Sequence, residues 1–275
     1  MLELYNPTGL YNFSEIEGTH LSEKTDDDVK IITRDRVVTM PVYPSVILNK
    51  FKNAEKLELT NSIFETIEVN AFESCKNLLY LDFSNNKFKR LENDLLRNCR
   101  NLTLLSFYSN EVSKIDENAF INLSSVQTLI LSYNPIEHLS KNIFKPLISL
   151  IRLDANYMKL KIIHSYSFGG HRFFTTFNLI GNQINAFDEK IIDNTAIDFI
   201  DVRSNACVNG QLKDTSIMRA SLRAALRICI QNYNTVSIKN ATLLITETIA
   251  RNSNVKQEFN SKIKGNVRKI TGSDQ

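Results

Sequence analysis

The stretch LLYLDFSNNKFKRL at residues 78–91 places apolar side chains at Leu78, Leu81, Phe83, Phe88 and Leu91, with Asn86 set among them. The alternation Leu81, Asp82, Phe83 is that of a strand with one buried face. The same template, apolar at positions 1, 4, 6, 11 and 14 with Asn at 9, returns 24 residues later as Leu102, Leu105, Phe107, Asn110, Val112, Ile115. It returns again as Val126, Leu129, Leu131, Asn134, Ile136, Leu139, then as Leu150, Leu153, Ala155, Met158, Leu160, Ile163. Two further registers are Phe174, Phe177, Leu179, Asn182, Ile184, Phe187 and Ile197, Ile200, Val202, Asn205, Cys207, and one earlier register is Ala54, Leu57, Leu59, Ser62, Phe64, Ile67. A second apolar column keeps the period at Phe72, Leu96, Phe120, Phe144, Phe168 and Ile192. Near-constant spacing over this length predicts a solenoid, in which each turn buries its apolar face against its neighbours.

These residues resemble the leucine-rich repeat, L-x-x-L-x-L-x-x-N-x-L, in its 24-residue and mostly extracellular variety. The resemblance spans about residues 54–207. It implies an α/β-type repeat solenoid, a horseshoe with a parallel concave β-sheet, an irregular convex side and a helical C-terminal cap. A short strand per turn, stacked at about 4.8 Å, must be followed by a sharp corner inside the stack. Backbone groups left unpaired at such a corner cost about 1–3 kcal/mol each. An amide side chain carries both a donor and an acceptor, so Asn86, Asn110, Asn134, Asn182 and Asn205 are expected to form a structural ladder. Ser62 can supply part of that bonding and Met158 none, so the ladder is expected to break at Met158, with a water or a local distortion there.

A stack needs closing at both ends. Residues 1–53 are read as an N-terminal cap region in which Val29–Thr33 is a strand pairing with the first repeat. The segment SEIEGTHLSEKTDDDVK resembles the region ahead of the repeats in secreted insect leucine-rich-repeat proteins, without their nearby cysteines. At the other end Met218, Leu222, Leu226 and Ile230 recur at helical spacing, giving a cap over 208–234. It resembles the C-terminal flanking cap of extracellular leucine-rich repeats, which implies a Cys207–Cys229 disulfide. Cys75 and Cys99, 24 apart, stand where Leu123 and Leu147 stand in later repeats; free buried thiols are the expectation, and a disulfide between adjacent coils is the other reading. Residues 235–275 leave the pattern; Ile249, Phe259, Ile263, Val267 and Ile270 permit an amphipathic helix, and a coiled coil or a flexible tail are the other readings.

A formal charge of +3, with basic residues scattered along the chain, gives no reason to expect nucleic acid as a partner. No apolar run reaches the roughly 20 residues of a membrane-spanning helix. The opening MLELYNPTGLYNFSE has no basic stretch followed by an apolar core, so the expectation is either an incomplete N-terminus or an intracellular chain. No phosphate loop, dinucleotide fingerprint, nucleophile elbow or H-E-x-x-H motif is present, and no Cys/His spacing suits zinc. Asp26–Asp28 reads as a solvated acidic loop, and His164 and His171 as solvent-facing residues of a repeat loop. The expectation is a non-enzyme with no metal and no cofactor.

What a solenoid offers instead is a concave face. Tyr80, Asp82, Leu104, Tyr108, Ile130, Tyr133, Arg152, Asp154 and Tyr157 are expected there as a protein-binding surface, with Leu104 and Ile130 as its apolar centre. Seven strands of five residues span on the order of 570 Å², less than the roughly 800 Å² per side of a standard interface. A partner must therefore also engage loops, a cap or a second copy. Sequons at Asn12, Asn101, Asn122 and Asn240 are candidate glycosylation sites. The function expected is protein–protein recognition, outside the cell or at its surface, with an immune or receptor-ectodomain role implied by the family. The alternatives are an intracellular adaptor or regulatory subunit and, third, a self-assembling structural role through the C-terminal tail; a homo- or hetero-oligomer is compatible with any of these.

Overall fold

The computed structural model describes residues 2–3, 26–34, 41–169, 175–194, 197–213, 218–237 and 239. Each 24-residue turn contributes one short strand to a single sheet: Lys56–Leu59, Tyr80–Asp82, Leu104–Ser106, Thr128–Ile130, Arg152–Asp154, Thr176–Asn178 and Phe199–Asp201. Neighbours pair in parallel and in step, Leu81 against Leu105 and Leu105 against Leu129, so the sequence period is also the sheet register. Leu57, Leu81, Leu105, Leu129, Leu153, Phe177 and Ile200, one per strand, point inward and are fully buried. Behind them Phe120, Phe144 and Phe168 stack with centroids 6.2 and 5.3 Å apart. Short two-stranded ladders recur on the opposite side of the coil, such as Arg90–Leu91 with Lys114–Ile115. The architecture is that of a leucine-rich-repeat horseshoe.

The corners after the strands carry the amides. Asn110 donates from Nδ2 to Phe83 O of the preceding turn at 2.9 Å and to Phe107 O of its own turn at 3.1 Å; its Oδ1 accepts from Phe88 N–H at 3.1 Å. Asn86, Asn134, Asn182 and Asn205 repeat this three-way arrangement, each accepting from the turn before. Met158 is buried in the slot and cannot accept. The N–H left over, that of Ile136, turns back to Asn134 O at 2.8 Å. Such a three-residue turn needs a central φ near −75°, which proline's ring almost fixes, and the central residue is Pro135.

A second amide column lies outside the sheet and has no place in the repeat template. Asn53 donates to Asp27 O at 3.2 Å, Asn77 to Lys52 O at 3.1 Å and Asn101 to Lys76 O at 2.9 Å. These side chains are half-buried or exposed, in contrast to Asn86, Asn110 and Asn134.

At the N-terminal end the pairing strand is Ile31–Arg34, aligned in parallel with Lys56–Leu59. The strand expected over Val29–Thr33 begins later because Val29 N–H still closes the turn of Asp26–Asp28, donating to Asp26 O at 3.3 Å. Tyr43 is wholly buried against Phe64, Phe72 and Phe83, and among the described residues its hydroxyl has no hydrogen-bond partner. Burial raises its pKa far above the ordinary phenol value.

At the other end the chain reverses: Gln211–Lys213 runs antiparallel to Phe199–Asp201. A helix, Met218–Ala225, follows, and the chain is helical again over 227–237. Leu222, Leu226 and Ile230 are buried, and Arg223 Nε reaches Glu189 at 2.8 Å. Cys207 and Cys229 are bonded.

Cys75 and Cys99 are also bonded, which corrects the expectation of free thiols. Residues one period apart lie one strand spacing apart, and here the Cα atoms are 5.0 Å from each other, inside the range a disulfide requires. The tail residues Ile249, Phe259, Ile263, Val267 and Ile270, the apolar Phe174, and the sequons at Asn12 and Asn240 lie outside the described residues.

Candidate binding face

Along the concave sheet the polar side chains are paired with one another. Lys56 Nζ bonds Glu58 at 2.8 Å and lies 4.7 Å from the centroid of Tyr80. Tyr80 Oη is 3.5 Å from Asp82 Oδ2, and burial, then Asp82 and Glu58, push its pKa up to about 12. Asp82 in turn accepts from Ser84 N–H at 2.8 Å. Arg152 grips Asp154 with Nε and a terminal nitrogen, at 3.0 and 2.9 Å to Oδ2, and Asn178 donates to the same carboxylate. Arg203 holds the nearly buried Asp201 in the same two-pronged way, and that bond raises the Arg203 pKa. The middle of the face is thus largely self-neutralised. Leu104 and Ile130 are half-buried in it.

Aromatic surface is found at the rim. Tyr108, Tyr133 and Tyr157 form a continuous ridge, with centroids 5.1 Å apart edge-to-face for the first pair and 4.7 Å apart at an interplanar angle of 24° for the second. They are 37%, 45% and 49% exposed. Partial burial, and then each other's phenol groups, raise the Tyr133 pKa. The expected set is therefore divided: Tyr108, Tyr133 and Tyr157 come together, whereas Tyr80 sits apart with Lys56 and Asp82.

The ridge has an unusual backbone. The residue before the ladder position adopts a left-handed conformation in each turn: Asn61, Asn85, Ser109, Tyr133, Tyr157, Gly181 and Ser204 all have φ between 49° and 67°. Asparagine and glycine enter that region readily, a bulky aromatic residue does not. Tyr157 lies over Gly181, where a Cβ would come within 2.4 Å of the ring, so the ridge ends on the one residue of the column without a side chain. The column was readable as Asn, Asn, Ser, Tyr, Tyr, Gly, Ser at one repeat position. Nothing in the binary pattern, however, marks a tyrosine there as strained.

A second polar cluster joins the repeats to the C-terminal helix. His164 stacks on Tyr166 at 4.3 Å, and its Nδ1 is 3.2 Å from Tyr233 Oη. Asp188 accepts from Ser165 Oγ at 2.5 Å and from Lys190 N–H at 3.1 Å. Burial lowers the His164 pKa against the opposing pull of Asp188, and burial, then Asp188, raise that of Tyr233 to about 12. This corrects the reading of His164 as simply solvent-facing; its partner is 69 residues away, beyond any local signal. His171 lies outside the described residues. Asn101 and Asn122 are exposed, and each donates from Nδ2 to a carbonyl of the preceding turn.

Among the described residues no group of three or more His, Cys, Asp or Glu could hold a metal ion, and no helix is long and apolar enough to cross a membrane.

A family model described as a BspA type leucine rich repeat region matches residues 45–172 and 108–211. Comparison with curated proteins by sequence gave no match. Among solved structures the chain is similar to TLR13 in a complex with ssRNA13 (22% identity, TM-score 0.57, 63% of this chain and 25% of that one). It is similar also to the leucine-rich-repeat protein FLRT2, in an octameric complex with Latrophilin 3 and Unc5D (19%, 0.56, 65% and 55%). The leucine-rich repeat domain of APL1B is a third (18%, 0.56, 65% and 49%). The chain covers less than two thirds of each of these structures, and at such identities the likeness is one of fold.

Proposed function

This chain belongs to the BspA-type leucine-rich repeat family, and from that premise we propose that it is a non-enzymatic recognition module that binds a protein partner on its concave side. The observation that carries the reading is the tyrosine ridge. Tyr133 and Tyr157 hold a backbone conformation disfavoured for their type by about 1–3 kcal/mol and still present half their surface to solvent. Strain retained on an exposed aromatic surface fits a contact site, since tyrosine offers large, rigid contact area at low entropic cost. The ridge is smaller than a standard interface, so the partner also engages the exposed Arg152, which Asp154 holds in place, and the adjoining loops.

An extracellular setting, with proposed glycans on Asn101 and Asn122, is part of the proposal, and the two bonded cysteine pairs support it. So is the receptor-ectodomain or insect immune role that the sequence resemblance implies. The intracellular adaptor reading requires those cysteines to be reduced.

Affinity capture from the source organism, with the native chain and with Tyr108→Ala/Tyr133→Ala, tests the binding face. Loss of the captured partner at a nearly unchanged melting temperature supports it; an identical captured set from both chains rules it out. Free thiols at all four cysteines and unmodified Asn101 in the native-source protein would overturn the extracellular setting.

A further inference from the structure

The Cys75–Cys99 disulfide and the Tyr133–Tyr157 stack have a common geometry. Both pair residues 24 apart on adjacent turns, at a distance the coil spacing sets. The tyrosine pair is held by its left-handed backbone on one side and by Gly181 beneath Tyr157 on the other. Its rings lie 24° from parallel with centroids 4.7 Å apart, and both are open to solvent.

We propose that Tyr133 and Tyr157 are a site of oxidative coupling, at which a peroxidase-type one-electron oxidant joins the two phenol rings into dityrosine and ties adjacent turns together covalently. Each phenol gives up one electron and one proton to become a phenoxyl radical. The two radicals combine at ring carbons ortho to oxygen, forming one C–C bond. The hydrogen on each coupled carbon then moves, as a proton, to the oxygen of its own ring, so both rings regain aromaticity and both phenols are restored. In balance, two ring C–H bonds are replaced by one C–C bond, and one hydrogen peroxide is reduced to two waters. The fold supplies proximity: two radicals held face to face on one chain couple faster than radicals that must meet by diffusion.

Other tyrosine pairs are less suited. Tyr108 meets Tyr133 at 63°, edge-to-face, and Tyr233 is engaged by His164. This inference does not depend on the proposed partner. A phenylalanine keeps the ring that a partner would touch but cannot form a phenoxyl radical, so the two ideas separate in one variant.

The test treats the full chain with a haem peroxidase and hydrogen peroxide, at a dilution where size-exclusion chromatography shows no association. Intact mass, dityrosine fluorescence and a tryptic map are then read. The expected result is a chain of unchanged oligomeric state, lighter by two hydrogens, with the Tyr133 and Tyr157 peptides cross-linked. Tyr133→Phe and Tyr157→Phe should each reduce that cross-link at least tenfold, and Tyr166→Phe should leave it unchanged. Absence of coupling, coupling only between chains, or a cross-link that maps to Tyr108 or to Tyr166 with Tyr233, would overturn the proposal.

Discussion

The corner at Asn110 and the corner facing Met158 meet the same difficulty in different ways. At the first, a backbone N–H that the turn leaves over, Phe88, is accepted by an amide one turn further on. At the second the amide is missing, and the Ile136 N–H finds an acceptor two residues back, across Pro135. The first solution joins neighbouring turns; the second satisfies the atom but joins nothing. The stack therefore keeps its hydrogen-bond balance at Met158 while losing the two bonds that an asparagine makes to the turn before, and the proline is what makes that local closure inexpensive. An irregular residue in one repeat is answered by an irregular residue in the repeat before it.

Replacing Asn110 by leucine should have the largest effect. Phe83 O and Phe107 O each keep an amide donor, from Asn86 and Asn134, so the group fully orphaned is Phe88 N–H. We expect a loss of about 2–3 kcal/mol in denaturant unfolding. A loss below about 0.5 kcal/mol would mean that any corner can close on itself as Ile136 does. Tyr43→Phe tests the same rule in reverse: removing a buried hydroxyl that has no partner should stabilise the chain by about 1 kcal/mol in the same assay. A destabilised variant would reveal a partner for that hydroxyl.

Pro135→Lys, which installs the residue found at the equivalent position 87, should cost roughly 0.5–1 kcal/mol. Amide exchange at Ile136 should quicken more than at Val112. Equal protection at the two sites would break the comparison. Smallest of all should be Asn77→Ala in the outer column, within about 0.5 kcal/mol, because water can replace its bonds.

The repeat, its strands and the inner amide column were legible in the sequence because one period governs them all, and a single misplaced residue, Met158, stood out against it. The Cys75–Cys99 bond was legible as one of two readings, since positions a period apart are also a strand spacing apart; sequence alone favours the free-thiol reading because cysteine is at home in a buried leucine position. The Pro135 turn was readable only by comparing adjacent repeats position by position. The reversed strand Gln211–Lys213 and the His164–Tyr233 contact had no periodic signal to betray them. The division of the expected face into a self-paired middle and an aromatic rim depends on side-chain reach and backbone handedness, which binary patterning does not encode.

The strand Gln211–Lys213 also answers a question of length. A pile of identical parallel coils contains nothing that says when to stop, since each finished coil offers the next one the same template. Reversing the direction of one strand means that the in-step parallel pairing, with its evenly spaced slanted hydrogen bonds, is not carried past Phe199–Asp201. Three residues thereby end the parallel pattern of the repeats.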